Sequence, residues 1–339
     1  MMEQSHSKWL EMMEKAKKEN WGMLPSPPDE RDWPLSRIAM PIALPRSVRL
    51  DHLVHRIKDQ GRCGTCVGKA VSTAAETGYK QKEKLPEGGL SALFIYVRSK
   101  QEDGIPDVQG TYPRVALKVA QKEGTAPEVK FPYSLLADCL KIPDIPSVAL
   151  TTAGDYKIKA YARLWTLDEI KQALAVGKIV VGGILVTSSF IEWDGQGNIG
   201  VPQGYIYGGH AVVFCGYDDT RKAIRGVNSW GERWGDKGFF WLSYDFCNWE
   251  SKDLPGLYAL MEAWAVEFEE ILQPPQKIEL WIDKNIAIVN GTEVMIDPDN
   301  PKVTPMIIEK RTMLPARFIA ESLRKKVDWD EKERKVTIE

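Results

Sequence analysis

No apolar run in this 339-residue sequence approaches the roughly 18 residues that a membrane-crossing helix needs. The opening MMEQSHSKWLEMMEKAKKEN also lacks the apolar stretch of a signal peptide's core, so the default expectation is a cytoplasmic protein. Charge of one sign is not in excess: 45 Lys plus Arg stand against 47 Asp plus Glu, a formal net charge of -2. No bulk field would therefore recruit nucleic acid or an anionic membrane. Histidine is scarce, with 4 in the chain, all at or before residue 210. The 5 cysteines (Cys63, Cys66, Cys139, Cys215 and Cys247) are odd in number and scattered, a poor disulfide framework from which mostly free thiols are expected. There is no internal repeat and no low-complexity tract.

With 43% apolar residues, the chain can bury a real core, in one domain or two. Residues 8 to 19 put Trp9, Leu10, Met12, Met13 and Ala16 at helical spacing. Leu24-Pro25-Ser26-Pro27-Pro28 must then run extended, because prolines supply no helical donors. Residues 1–45 thus read as an arm. A body over 46–270 mixes helical and strand patterns, and Gln273-Pro274-Pro275-Gln276 marks a linker. Residues 277–339 read as a small α+β module, in which Ile278, Leu280 and Ile282 alternate as in a strand and Leu314, Phe318, Ile319 and Leu323 suit a helix.

The chemistry concentrates in the body. After Asp59-Gln60-Gly61-Arg62-Cys63-Gly64-Thr65-Cys66, the residues Val67, Ala70, Val71, Ala74, Ala75 and Tyr79 fall on the face of a buried helix that Cys66 opens. Thr65 suits its N-cap, and the partial positive charge of a helix start favours thiolate over thiol. Taken alone, Cys63-x-x-Cys66 would equally suit a redox pair or half of a zinc site. Further on, His210-Ala211-Val212-Val213-Phe214-Cys215-Gly216-Tyr217, a turn, and Ala223-Ile224-Arg225-Gly226-Val227-Asn228 predict an antiparallel hairpin. A turn centred near residue 220 sets 210 opposite 230 and leaves Asn228 one diagonal away, on the face of His210 and Trp230. A cysteine nucleophile needs a base, and the base needs a group to orient it; Cys66, His210 and Asn228 supply the three.

These blocks, Gln60-Gly61-x-Cys63-Gly64-x-Cys66, Gly209-His210-Ala211-Val212 and Asn228-Ser229-Trp230-Gly231, resemble the three catalytic blocks of papain-like cysteine peptidases, in the same order and at about the same spacing. The resemblance spans roughly residues 45 to 265 and includes Leu90-Ser91, Phe131-Pro132-Tyr133 and Trp234-Gly235-x-x-Gly238-Phe239-Phe240. It implies an α+β, two-lobed fold and a cysteine-type endopeptidase. Cys66 would be the nucleophile, His210 the acid and base, Asn228 the group that orients it, and Gln60 with the Cys66 N–H the oxyanion hole. Trp230 would cover the Asn–His contact, and Gln109-Gly110 would lie beside the substrate backbone. The substrate would be a peptide or protein, and neither metal nor organic cofactor is required.

The sequence departs from the family's pattern in three places. Val67 replaces a bulky aromatic, and Thr65 replaces a smaller residue. The usual partner of Cys63 is missing from Asp107 to Gly110, so the family disulfide is expected to be absent, in keeping with a reducing compartment. The arm is too short and too rich in proline for a standard zymogen segment, and packing over the back of the domain or a disordered tail are the alternatives. The tail resembles the module called copper amine oxidase N-terminal-like, through Val289-Asn290-Gly291, Leu314-Pro315-x-Arg317-Phe318-Ile319-Ala320 and Val327-x-Trp329-Asp330. Without histidine or cysteine it suits binding of protein or a cell-surface polymer, or spacing, better than copper. Such modules are frequent in exported bacterial proteins, which makes export or the cell surface the alternative location. A catalytically retired scaffold on the same fold is the alternative function.

Overall fold

The computed structural model describes residues 22–32, 34–35, 44–139, 141–268, 278–289, 292–298, 300–322, 327–331 and 333–338. The helical pattern at 8 to 19, the Gln273–Gln276 linker, Asn290-Gly291 and Leu323 lie outside the described residues. Contacts divide the chain into two units, Met1–Phe268 and Glu269–Glu339.

In the first unit, α1 (Cys66–Gln81) is buried along almost its whole length, from Cys66 to Gly78. Two further helices, α2 (Ala92–Glu102) and α3 (Pro113–Lys122), complete the main helical layer. The helix starts are set locally. Ser91 accepts the Phe94 N–H at 3.0 Å, and Pro113 opens α3, where a missing N–H is harmless. A shorter helix, α4 (Ser147–Ala153), packs Ala149 and Ala153 against Leu93, Phe94 and Phe131. α5 (Leu167–Ala175) opens on a full capping box between Thr166 and Glu169.

The second lobe is a seven-stranded antiparallel sheet of β1 (Ser47–Arg49), β2 (Ile158–Leu164), β3 (Val180–Thr187), β4 (Ile206–Asp218), β5 (Ala223–Val227), β6 (Phe239–Ser243) and β7 (Leu260–Phe268). Its order is β2-β7-β3-β4-β5-β6, with β1 on the far end of β4. Two cores follow. Val67, Val71 and Ala74 of α1 pack on Ala211, Val213 and Cys215 of β4, while Ile184, Phe214, Ile224 and Phe240 fill the opposite face with Ile170 and Leu174 of α5. Alternate residues of β4 point to opposite faces, so one strand joins both cores and anchors the sheet side of the site. The mixed α+β, two-lobed architecture is the one expected.

In the second unit, β8 (Ile278–Leu280), β9 (Ile286–Val289) and β10 (Thr292–Met295) form one antiparallel sheet. β11 (Met306–Ile308) pairs with β12 (Arg311–Met313), and β13 (Val327–Asp330) with β14 (Lys335–Ile338). The helix α6 (Ala316–Ser322) begins after Leu314, which is exposed rather than part of a helical stripe.

Candidate active site

The hairpin forms as its sequence implies. β4 and β5 pair antiparallel with Val213 opposite Val227 and Asp218 opposite Ala223, and a bulge at Cys215 absorbs one residue. Asn228 follows β5 directly, and its Oδ1 lies 2.7 Å from His210 Nε2. A carbonyl oxygen only accepts, so Nε2–H is the donor and the lone pair sits on Nδ1. The same Oδ1 accepts the Ser229 N–H at 2.7 Å, which fixes the amide. Trp230 lies against the imidazole with ring centroids 4.8 Å apart, backed by Phe190 and Trp234. His210 is fully buried, and excluding water strengthens the Asn–His bond.

Cys66 begins α1, with Thr65 at its N-cap. The thiol is within hydrogen-bonding reach of backbone N–H groups of Ala211, Gly22, Val67 and Cys66 itself. The Ala211 contact places the sulfur beside the residue that follows His210, so helix and hairpin converge on one point. Gln60 is held between them. Its backbone N–H donates to Ser229 O at 2.9 Å, its Oε1 accepts Ser229 Oγ–H at 2.8 Å, and its Nε2 donates to Cys63 O at 3.1 Å. A buried ion pair steadies the same loop: Lys58 Nζ reaches Glu76 of α1 at 3.0 Å and Ser72 Oγ at 2.7 Å. Gln109 Oε1 accepts the Gly64 N–H at 2.8 Å, next to the cysteine loop. Gly110, at φ +84°, occupies the left-handed region that glycine tolerates best.

Three expectations change. Cys63 is bonded to Cys139, with S–S 1.95 Å and Cα–Cα 5.1 Å. The partner comes from a later loop that folds back over Cys63, where Arg62 donates to Ala137 O at 3.1 Å. This removes Cys63 from any pairing with Cys66, and among the described residues no cluster of metal-binding side chains is found. The Thr65 side chain does not cap α1. Its hydroxyl meets Tyr133 Oη at 2.6 Å, and since Tyr133 gives its one proton to Gln60 O at 2.8 Å, Thr65 is the donor.

Residues 22–24 of the arm lie in the cleft rather than over the back. Met23 bridges Thr111 in parallel, Leu24 N–H donates to Thr111 O at 3.1 Å, and Thr111 N–H donates to Gly22 O at 3.2 Å. Met23 is fully buried against Gly183 and Gly209, close to Met261 and Glu262. Glycine is required at 22, since a Cβ there would stand 2.2 Å from the Gly64 backbone. With the strap in place, burial pushes the Cys66 thiol up to about 12, against the pull of its four N–H contacts. Burial also takes His210 down to about 4, the Asn228 bond pulling the other way. Burial thus works against charge on both groups in this closed arrangement.

The strap contacts, Cys139 and the Tyr133 linkage were missed in sequence, because each is a long-range contact that no local period reveals. Lys69 left a fainter signal: it lies one turn after Cys66 on the same helix face, where an apolar residue would be usual.

A family model for papain family cysteine proteases matches residues 45–254, and one for the copper amine oxidase N-terminal domain matches 270–338. The chain is 31% identical over 203 residues to an uncharacterized peptidase C1-like protein, L477, of Acanthamoeba polyphaga mimivirus, covering 56% of this chain and 64% of that protein. It is 30% identical over 203 residues to the cathepsin B-like CP3 of Giardia intestinalis, with 56% and 64% covered. The chain thus spans less than two thirds of the length of these curated relatives. Among solved structures it is similar to xylellain, a cysteine protease from Xylella fastidiosa, with a TM-score of 0.63 and 29% identity over 74% of this chain and 97% of that one. proCathepsin B S9 from Trypanosoma congolense shares the fold, with a TM-score of 0.55 at 17% identity over 75% and 89% of the two chains.

Proposed function

The chain belongs to the papain family of cysteine proteases, and on that premise we propose that it is an endopeptidase held latent by its own residues 22–26. Cys66 is the nucleophile, His210 the acid and base, Asn228 the group that orients the imidazole, and Gln60 an oxyanion donor. The observation that carries this reading is the His210 Nε2–Asn228 Oδ1 contact of 2.7 Å beneath Trp230, with the Cys66 sulfur beside the Ala211 N–H.

Withdrawal of the strap lets water back to the sulfur and the ring, and hydration favours the charged pair that burial suppresses. His210 Nδ1 then takes the thiol proton, and the thiolate attacks the scissile carbonyl carbon. The carbonyl oxygen gains the electron pair and accepts from Gln60 Nε2–H and the Cys66 N–H. Collapse breaks the C–N bond, and the amine leaves with the proton from His210. Water, deprotonated by His210, cleaves the thioester, releasing the acid and restoring the thiol. Thr111, which pairs with the strap backbone, is suited to pair with a substrate backbone in the same way, beside Gln109 and Gly110.

A retired scaffold is the second reading, favoured by the closed site, with Cys66 and His210 both fully buried. A thiol-directed epoxide and a fluorogenic peptide separate the two, tested on wild type and on Gly22→Val. Labelling confined to Cys66 with peptide turnover, both lost in His210→Ala, supports the peptidase; an unreactive Cys66 once the strap is displaced supports the scaffold. The Cys63–Cys139 bridge supports an oxidising compartment, and so an exported or surface location over a cytoplasmic one. The tail module is assigned a binding role toward protein or a surface polymer.

A further inference from the structure

Lys69 is a residue the reaction scheme leaves unused, and its setting is unusual. It sits on α1 one turn beyond Cys66 and is 4% exposed. Its ammonium lies 3.0 Å from the centre of the Tyr133 ring, the face on which a cation is attracted by the ring's negative quadrupole. Tyr133 is gripped on its other sides too. Its backbone N–H donates to Glu128 Oε1 at 2.9 Å, and its hydroxyl stands between Thr65 Oγ1 at 2.6 Å and Gln60 O at 2.8 Å. The hydroxyl therefore clamps together the residue before the nucleophile and the residue proposed as oxyanion donor.

The geometry points to Lys69 as a positioning residue for the oxyanion side of the site: its protonated amine presses Tyr133 into place, and Tyr133 fixes Gln60 relative to Cys66. This rests on the peptidase reading for its consequence, though not for its geometry. The amine faces like charges at Lys58 and Arg56 and opposite charges at Glu128 and Asp59, with Tyr133 beneath it. Burial, reinforced by Lys58, lowers the Lys69 pKa to about 7. The brace is accordingly charged in acid and lost through neutrality as pH rises, well below the range where a solvated lysine would titrate.

The test uses the full chain with the strap displaced by Gly22→Val, compares the wild-type lysine with Lys69→Met and Lys69→Arg, and follows peptide turnover against pH. Wild-type turnover is expected to carry an alkaline limb near neutrality. Lys69→Met should be about tenfold slower in acid, the size expected for a lost desolvated cation–π contact, and should lack the limb. Lys69→Arg, which stays charged, should hold near the wild-type acid rate and keep it beyond neutrality. A wild-type rate and profile in Lys69→Met, or an alkaline limb that survives in Lys69→Arg, overturns the assignment. If Lys69→Met fails to fold, the arginine variant still decides. Independently of turnover, NMR of the Lys69 ε-methylene should show a ring-current shift that titrates near neutrality and vanishes in Tyr133→Leu; an unshifted resonance overturns the geometry. A strap-displaced Gly22→Val chain that hydrolyses no peptide yet shows this resonance refutes the peptidase reading and leaves the Lys69–Tyr133 brace standing.

Discussion

The two sides of the site are built by different means. The hairpin side takes its geometry from the register of β4 and β5, and the contacts that hold the His210 ring, to Asn228 and Trp230, span no more than about 20 positions. The helix side, with Gln60 and Cys66, draws its supports from far along the chain: Gly22 from the arm, Tyr133 and Cys139 from loops, and Ser229 from the hairpin itself. A sheet register is all or none, since a slip of one residue turns every side chain over. A loop hung on several distant contacts can instead be adjusted through any one of them. The rigid side therefore suits the proposed acid–base role of His210, and the adjustable side suits control.

If that division is right, the two sides still fail equally when a reacting group is removed. With the strap displaced by Gly22→Val, Cys66→Ala and His210→Ala should each lower turnover on the order of 10⁶-fold while the fold persists, because groups that act as a unit are lost as a unit. Steady-state turnover with circular dichroism checks this, and a His210→Ala variant that keeps most of its turnover breaks the scheme. Gln60→Ala is expected to be milder, on the order of 10² to 10³ in kcat with KM little changed, since its donor acts on charge that develops only in the transition state. Unchanged kcat would remove Gln60 from the oxyanion hole.

The asymmetry also explains what could be read from the sequence. The alternation of β4, the turn after Asp218 and the hydrophobic period of α1 are enough to imply the hairpin register that brings Asn228 to His210 and the helix start at Cys66. Cys139 was not recognisable as the partner of Cys63, because the residues that carry it back across 76 positions, among them Tyr133 and Ala137, have no local signature. The extended character of Leu24–Pro28 was legible from its prolines, but its place in the cleft was not. That place depends on Gly22 fitting against Gly64 and Gly110, a steric match between residues far apart.

Gly22→Val tests the adjustable side directly. Its Cβ would stand 2.2 Å from the Gly64 backbone, which cannot give way as a flexible side chain would. Overpacking of this kind costs about 1 to 3 kcal/mol, so alkylation of Cys66 should quicken by about ten- to a hundredfold as the strap is displaced. Wild-type reactivity in that variant would show that the strap does not limit access to the sulfur.

The smallest effect expected concerns the rigid side and acid. His210 is buried with its pKa taken from 6.5 to about 4, so the unfolded chain binds a proton there at a pH where the folded chain does not. With the folded value depressed, the contribution of His210 to stability is present above about 6.5 and is lost as pH falls toward about 4. Denaturant melts at steps through that window should show a decline that is shallower in His210→Gln, which keeps a polar side chain but cannot titrate. The comparison belongs in the closed form, where the strap keeps water from the ring; in Gly22→Val the decline should move to lower stability and flatten, because a hydrated imidazole titrates nearer its ordinary value. An identical acid decline in wild type and His210→Gln would mean that the buried imidazole carries none of it, and that the hairpin side is as open to solvent as the helix side.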